Sequence, residues 1–513
     1  MYPVRAASTH LSSRTDAHAV CALALALVAG ACHAAPRPAI ASAPHLTRVP
    51  GLAQLQRDID AVLAAPALER SYWGILVKSP TTGDTLYSLN AGRLLMPGST
   101  LKIVTLAAAA ERLGWDYRYE TRLAAAGSID PGAGTLSGDL VVVGAGDPSI
   151  VAGDRLFGEW AEKLKTHGIR TITGRIVGDD NVFDDDGLGP GWAWDDLQGR
   201  DATGVSGLQY NENTVQATIA PGATAGAPAV VSLAPDGSHL DVDNRLTTAA
   251  AGTAPSIAAQ RSPGSHRLEL RGSIPLDSAP FVRVVSVDNP TLFFVSAFRN
   301  ALIAAGVDVQ GPPMDIDDLA ETQSPGSGMV LDSYRSPPLS TLALRLMKNS
   351  QNLYAETLLK TLGAAGGAPT FEGGRQIAGE TLAPWGLAAA GLVQVDGSGL
   401  SRYNYLTPET LVTLLMHIRQ DDRLRLPFEA SLPIAGRDGT LAARMIGTAA
   451  EGNARAKSGT LANVRSLAGF VTSADGQPLI FAIVANNFGT MPEIAISAID
   501  AIVVRLAEFR REK

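Results

Sequence analysis

The chain has 513 residues, 46% of them hydrophobic and 18% charged, with a formal net charge of −8. That length accommodates about two to four domains with ordinary globular cores, and the acidic balance leaves no electrostatic footprint for nucleic acid. The 52 glycines and 31 prolines imply many turns and therefore substantial β structure.

The first 35 residues read as an export signal: Arg5 and Arg14 precede an uncharged stretch, Val20 to Ala31, and small residues follow at Ala34-Ala35. That stretch is short for a bilayer span, which leaves at most peripheral or lipid-anchored membrane association. Both cysteines, Cys21 and Cys32, lie within the first 35 residues, so a mature chain cut after Ala34 has no thiol for a disulfide or for catalysis. Ala29-Gly30-Ala31-Cys32 also resembles a lipoprotein processing site, with Ala29 where an aliphatic residue is usual. Residues 36–50, rich in Pro and Ala, read as a linker.

Tyr72 to Val77 and Asp84 to Leu89 are predicted strands, joined through Pro80-Thr81-Thr82-Gly83 as a hairpin. Pro97 and Gly98 then break the chain, and the Ala- and Leu-rich sequence beyond predicts a helix from near Ser99 to about Leu113-Gly114. On a helix, residues three apart share a face, so the Lys102 amine reaches the Ser99 hydroxyl. For that lysine to act as a base it must lose its charge near neutral pH, which costs roughly 4 kcal/mol relative to a lysine in water. Burial of an apolar helix and a second nearby cation are the two agents able to do this. The helix start also offers unpaired N–H groups to an oxyanion. Taken alone, an N-cap serine beside a solvated lysine is the simpler reading.

From about Arg118 to Asp315 the character changes: Lys163 and Lys165 are the only lysines, and short alternating runs recur at Asp139 to Val143, Gly174 to Asp179 and Phe281 to Val287. This reads as one or two mainly β insert domains, with a helix after Asn289-Pro290 running to Ala305. Past Pro337-Pro338 a helical pattern covers Leu339 to Lys348, breaks at Asn349-Ser350-Gln351-Asn352, and resumes as a second amphipathic helix from Leu353 to Lys360. Such a polar break presents Ser350 and Asn352 to a cleft, or is a plain helix–helix turn. Asn453 to Leu461 is predicted to be a short strand in which Gly459 permits close backbone approach. Strands Val464 to Val471 and Leu479 to Asn487 follow, then a helix from Pro492 to about Glu508 that packs on the sheet.

Ser99-Thr100-Leu101-Lys102, Ser350-Gln351-Asn352 and Lys457-Ser458-Gly459, in that order, resemble the Ser-x-x-Lys, Ser-x-Asn and Lys-Thr/Ser-Gly set of penicillin-binding proteins and serine β-lactamases. The long insert between the first and second motifs resembles that of the D-alanyl-D-alanine carboxypeptidase/endopeptidase family, the low-molecular-mass class C penicillin-binding proteins. Gly146-Asp147-Pro148, Pro190 to Asp196, Tyr210 to Asn213 and Asp396 to Arg402 fit that family as well. The resemblance implies an α/β (α+β) fold: a transpeptidase/β-lactamase-like domain with an antiparallel sheet flanked by helices, built from residues 51–117 and 330–513 and interrupted by an insert at 118–329.

It further implies an exported enzyme of the periplasm or cell envelope. Ser99 would attack the carbonyl between two D-alanines of a peptidoglycan stem peptide, and Lys102 would take its proton. Ser350 and Lys457 would relay a proton to the leaving amine, and Asn352 would hold the substrate's amide. The N–H groups of Ser99 and Thr460 would form the oxyanion hole, while Ser458 and Thr460, beside Gly459, would meet the terminal carboxylate. Asp179 and Arg402 align loosely with positions that contact the charged diamino-acid end of the substrate, although a turn aspartate and a solvated arginine serve equally. Asp147 and Trp192 are expected to be structural. β-Lactam antibiotics would bind covalently, and no metal or organic cofactor is implied. The rival readings are a β-lactamase-like hydrolase, which needs a dedicated deacylating base, and a noncatalytic cell-wall-binding protein.

Overall fold

A computed structural model describes residues 51–320, 328–489 and 491–511. The predicted export signal, both cysteines and the whole of the linker lie outside the described residues.

One sheet draws its strands from both ends of the chain. Its order is Arg455–Leu461, Val464–Thr472, Pro478–Asn486, Tyr72–Lys78, Thr85–Leu89, antiparallel throughout. The central strand, Pro478–Asn486, is buried at every position after its first, which accounts for its unbroken apolar sequence: both faces are covered. Its side chains alternate. Leu479, Phe481, Ile483 and Ala485 face a core shared with the first and last helices, Leu52–Leu63 and Pro492–Glu508. Ile480 and Ala482 face the opposite core, with Lys102–Leu113 and Pro408–Gln420. Gly74 is needed where the sheet meets that second layer, because a Cβ there would lie 2.4 Å from Leu95.

The intervening segment is more helical than the sequence suggests. A seven-stranded sheet that includes Glu120–Asp130, Thr135–Val143, Ile176–Asp179 and Met329–Arg335 packs with Leu156–Thr166 and Pro290–Ala304 around Phe157, Trp160, Phe294 and Phe298. Lys163 and Lys165 ride on the first of these helices. The second starts where Asn289 caps the Leu292 N–H and Pro290 occupies the first turn. Two three-stranded sheets, one of which includes Phe281–Ser286, complete this region.

Two elements near the Ser-x-x-Lys and Ser-x-Asn motifs differ from expectation. Ser99 lies in a 3₁₀ turn, Gly98–Leu101, that runs into the α-helix at Lys102. Asn352–Ala365 is not amphipathic: Asn352 through Gly363 are all buried, Glu356 and Lys360 included. No helix among the described residues is long and apolar enough to cross a membrane.

Candidate active site

The 3₁₀ turn at Gly98–Leu101 is wedged against the edge strand that carries Lys457-Ser458-Gly459. Two glycines permit the fit. A Cβ on Gly98, whose φ is +54°, would lie 2.8 Å from the Thr460 nitrogen; one on Gly459 would lie 2.4 Å from Pro97 O and 3.0 Å from the Ser99 nitrogen. Along this strand the Ala456 N–H points off the sheet to Pro433 O. The two-residue period therefore turns the Ser458 and Thr460 N–H groups to the same open edge. The Ser99 and Thr460 amides are thus brought together beside the Ser99 hydroxyl.

Lys102 is fully buried. Its Nζ donates to Ser99 Oγ at 2.9 Å, Asn352 Oδ1 at 2.6 Å and Ser398 O at 3.0 Å. Each of these acceptors is neutral. Burial is the main cause that lowers its pKa to about 8, against the opposing pull of Glu356, then Asp396 and Asp201. Lys457, equally buried, donates to Ser350 Oγ at 2.9 Å and Ser458 O at 2.7 Å. Burial first, and then the charge of Lys102, hold it well below the ordinary lysine range. The second cation is thus present, yet desolvation leads at both lysines.

Ser350 adopts φ +58°, a left-handed conformation that costs a serine of order 1 kcal/mol. The turn is braced from the intervening segment. Gln351 Nε2 donates to Glu212 Oε2 at 2.6 Å, Arg345 Nε donates to Glu212 Oε1 at 2.7 Å, and Asn352 Nδ2 donates to Asp201 O at 2.7 Å. Asn352 therefore has both ends of its amide engaged within the protein. Ser458 Oγ donates to Thr440 Oγ1 at 2.7 Å, and Thr460 is exposed on the strand beyond it.

Opposite lies the turn from Asp396 to Ser401. Asp396 accepts from the Gly399 and Ser401 N–H groups and from Trp192 Nε1 at 3.0 Å. Gly399 is at φ +87°, and a Cβ there would lie 2.0 Å from Gly98 O, so this turn presses directly on the 3₁₀ turn of Ser99. Trp192 thereby ties the intervening segment to the site, as its structural reading implies. Asp147 is buried and bonded to Ser149, its carboxyl pushed up to about 6, mainly by burial.

The structure thus brings together Ser99, Lys102, Ser350, Asn352, Lys457, Ser458, Gly459 and Thr460. It does not join Asp179 or Arg402 to that hydrogen-bonded cluster. Asp179 ends a strand, accepts from Asn181, and lines a cleft of about 460 Å³ with Glu120 and Arg122. Arg402 is exposed near Asp196. Sequence reasoning singled out the stretch with Glu212 without giving it a role, and missed Asp201, Thr440 and above all Glu356, a carboxylate one helical turn beyond Asn352.

The chain resembles known proteins over most of its length. The chain is 37% identical over 494 residues to a D-alanyl-D-alanine carboxypeptidase of Actinomadura sp. (strain R39), covering 92% of this chain and 88% of the relative. Penicillin binding protein 4 (dacB) of Haemophilus influenzae superposes with a TM-score of 0.78 at 26% identity, over 88% of this chain and 99% of that one. A structure of the same protein complexed with a β-lactam gives a TM-score of 0.70 at 26% identity, over 85% and 93%. Residues 55–509 match the model of the D-Ala-D-Ala carboxypeptidase 3 (S13) family, and the chain belongs to that family.

Proposed function

We propose that this protein is a serine-type D-Ala-D-Ala carboxypeptidase that also cleaves peptidoglycan cross-links as a DD-endopeptidase, both through an acyl-enzyme on Ser99. The observation that carries the reading is the Lys102 amine. It is buried, contacts only neutral acceptors, and stands 2.9 Å from Ser99 Oγ. A lysine so placed gives up its proton close to neutral pH and is suited to deprotonating a hydroxyl.

The steps follow from the geometry. Ser99 Oγ attacks the carbonyl of the penultimate D-alanine while its proton passes to neutral Lys102. The paired N–H groups of Ser99 and Thr460 face the position where negative charge develops on the oxygen. Collapse of the tetrahedral intermediate breaks the C–N bond; Ser350 gives its proton to the leaving amine and, through Lys457 at 2.9 Å, regains the one that Lys102 took from Ser99. Water then cleaves the ester, returning Ser99 and a shortened peptide. Asn352 orients Lys102 and meets the substrate amide once that displaces one of its internal partners. Ser458 and Thr460 hydroxyls receive the terminal carboxylate, and a β-lactam enters the same steps but is held as the acyl-enzyme. The division into a peptidase body, residues 51–117 and 330–513, and an insert, residues 118–329, belongs to this reading. So do export to the periplasm or cell envelope, with lipid attachment at Cys32 as the alternative to cleavage after Ala34, and contact of Asp179 and Arg402 with the far end of the stem peptide.

The test is incubation of the purified protein with two muropeptide pools, pentapeptide monomers and cross-linked dimers, followed by mass. Loss of one alanine from monomers is the expected carboxypeptidase result, and conversion of dimers to monomers the expected endopeptidase result. If both pools stay unchanged while penicillin is rapidly turned over, a β-lactamase is the correct reading instead.

A further inference from the structure

Glu356 is a fully buried carboxylate that the steps above leave unused. Its Oε2 accepts from the Gly397 N–H at 2.6 Å and its Oε1 from the Ser398 N–H at 2.8 Å. Two short bonds from backbone donors, one to each oxygen, suit the ionised form. The carbonyls of the same two residues are engaged elsewhere. Ser398 O accepts from Lys102 Nζ at 3.0 Å, and Gly397 O accepts from Thr105 Oγ1 at 2.7 Å. The turn lies directly on the helix that carries Glu356, since a Cβ on Gly397 would lie 2.3 Å from Ala355 O.

We propose that Glu356 is a positioning residue for acylation: it fixes the Gly397–Ser398 turn so that Ser398 O aims Lys102 Nζ at Ser99 Oγ, and it supplies buried negative charge facing that lysine. The inference rests on the reading of Lys102 as the base.

The charged groups around Lys102 are few. Glu356, Asp396 and Asp201 each favour its protonated form, and burial outweighs them. Lys457 stands on the neighbouring strand, its own charge disfavoured by burial and by Lys102. Burial, and then Asp396, raise the Glu356 carboxyl to about 8 against the pull of the two N–H donors and Lys102, so its charge is complete on the alkaline side of the lysine's limb. Because Lys102 must be neutral when Ser99 attacks, acylation rises with pH through the lysine's pKa. Taking away the Glu356 charge removes one of the groups that hold the proton on, so the acid limb moves to lower pH.

The experiment is benzylpenicillin acylation of the wild type, Glu356→Gln and Glu356→Asp from pH 6 to 10, with melting temperatures recorded for each. Glutamine offers one acceptor in place of two and sets an N–H₂ against a backbone N–H. Glu356→Gln is therefore expected to acylate about tenfold more slowly on the pH plateau, with its acid limb about one pH unit lower. Glu356→Asp retains the charge but falls short of the two N–H groups, so it slows similarly while its limb stays in place. Glu356→Gln that melts like the wild type and keeps both its rate and its limb overturns the proposal. So does a slowed Glu356→Gln with an unmoved limb, which would make Glu356 a structural support only. If Glu356→Gln fails to fold, Glu356→Asp decides, and a wild-type rate for it sinks the proposal. A wild type that is not acylated at all would instead remove the reading of Ser99 and Lys102 on which the inference rests.

Discussion

Two lysines meet the helix Asn352–Ala365, one at its N-terminus and one in its third turn, and both are fully buried. Lys360 has a counter-charge in contact. Its Nζ stands 2.6 Å from Asp184 Oδ1, donates to Asp184 O at 3.0 Å, and lies 4.8 Å from the centre of the Phe371 ring. Lys102 reaches Asn352 across the helix start and finds only a hydroxyl, an amide oxygen and a carbonyl. Burial disfavours the charge at both sites, and at Lys360 the hydrogen bond it donates to Asp184 is the leading influence in the charge's favour. At Lys102 the opposing carboxylates act without touching the amine. The same residue type is thus a clamp in one place and, in the proposed mechanism, a base in the other, and a carboxylate in contact makes the difference. Lys360 ties Asp184 to the helix Asn352–Ala365, whereas Lys102 has no carboxylate in contact to hold its proton.

Substitution should separate the two roles. The largest effect is expected from Lys102→Gln, which keeps hydrogen-bonding capacity but cannot accept the serine's proton. Its acylation by benzylpenicillin should fall about 10³-fold, while its melting temperature holds or rises because a buried amine has gone. Lys360→Met should do the opposite. It leaves Asp184 without its partner, and since that carboxylate is 29% exposed the loss is about 2 kcal/mol, below the cost of breaking a fully buried pair. Denaturant unfolding reads this, and acylation should stay within about twofold of wild type, as for a site without contact to the chemistry. Equal loss of acylation in both variants would dissolve the distinction.

What the sequence made legible is what it encodes locally. The Ser99 to Lys102 spacing, the punctuation by Pro97 and Gly98, the polar break at Ser350 and the glycine of Lys457-Ser458-Gly459 each carry a geometric requirement within a few residues. The strands on either side of the chain were readable for the same reason, as continuous apolar runs. The helix Leu156–Thr166 was passed over, although Leu156, Phe157, Trp160, Ala161 and Leu164 recur at helical spacing on its buried face. Asn352–Ala365 looked amphipathic because Glu356 and Lys360 supply polar positions four apart. Only the tertiary packing shows that both are interior and that each is answered by a different loop. The contact of Asp201 with Asn352 was invisible in principle, since it is made through a backbone carbonyl that every residue possesses. Glu212 could have been suspected, being a charged residue in a turn with positive φ, but φ is not written in the sequence. Asp179 and Arg402 came from resemblance alone, and no local pattern tied them to the cluster.

The most direct test of the account is to locate the penicillin adduct. Trypsin should release residues 94–102, a peptide in which Ser99 is the one serine, and separately residues 349–360, which carry Ser350. After brief exposure to benzylpenicillin, the first peptide should gain the mass of the drug, and a folded Ser99→Ala variant should gain none. An adduct on the second peptide, or one that persists in Ser99→Ala, would contradict the assignment of Ser99 as the nucleophile that Lys102 activates.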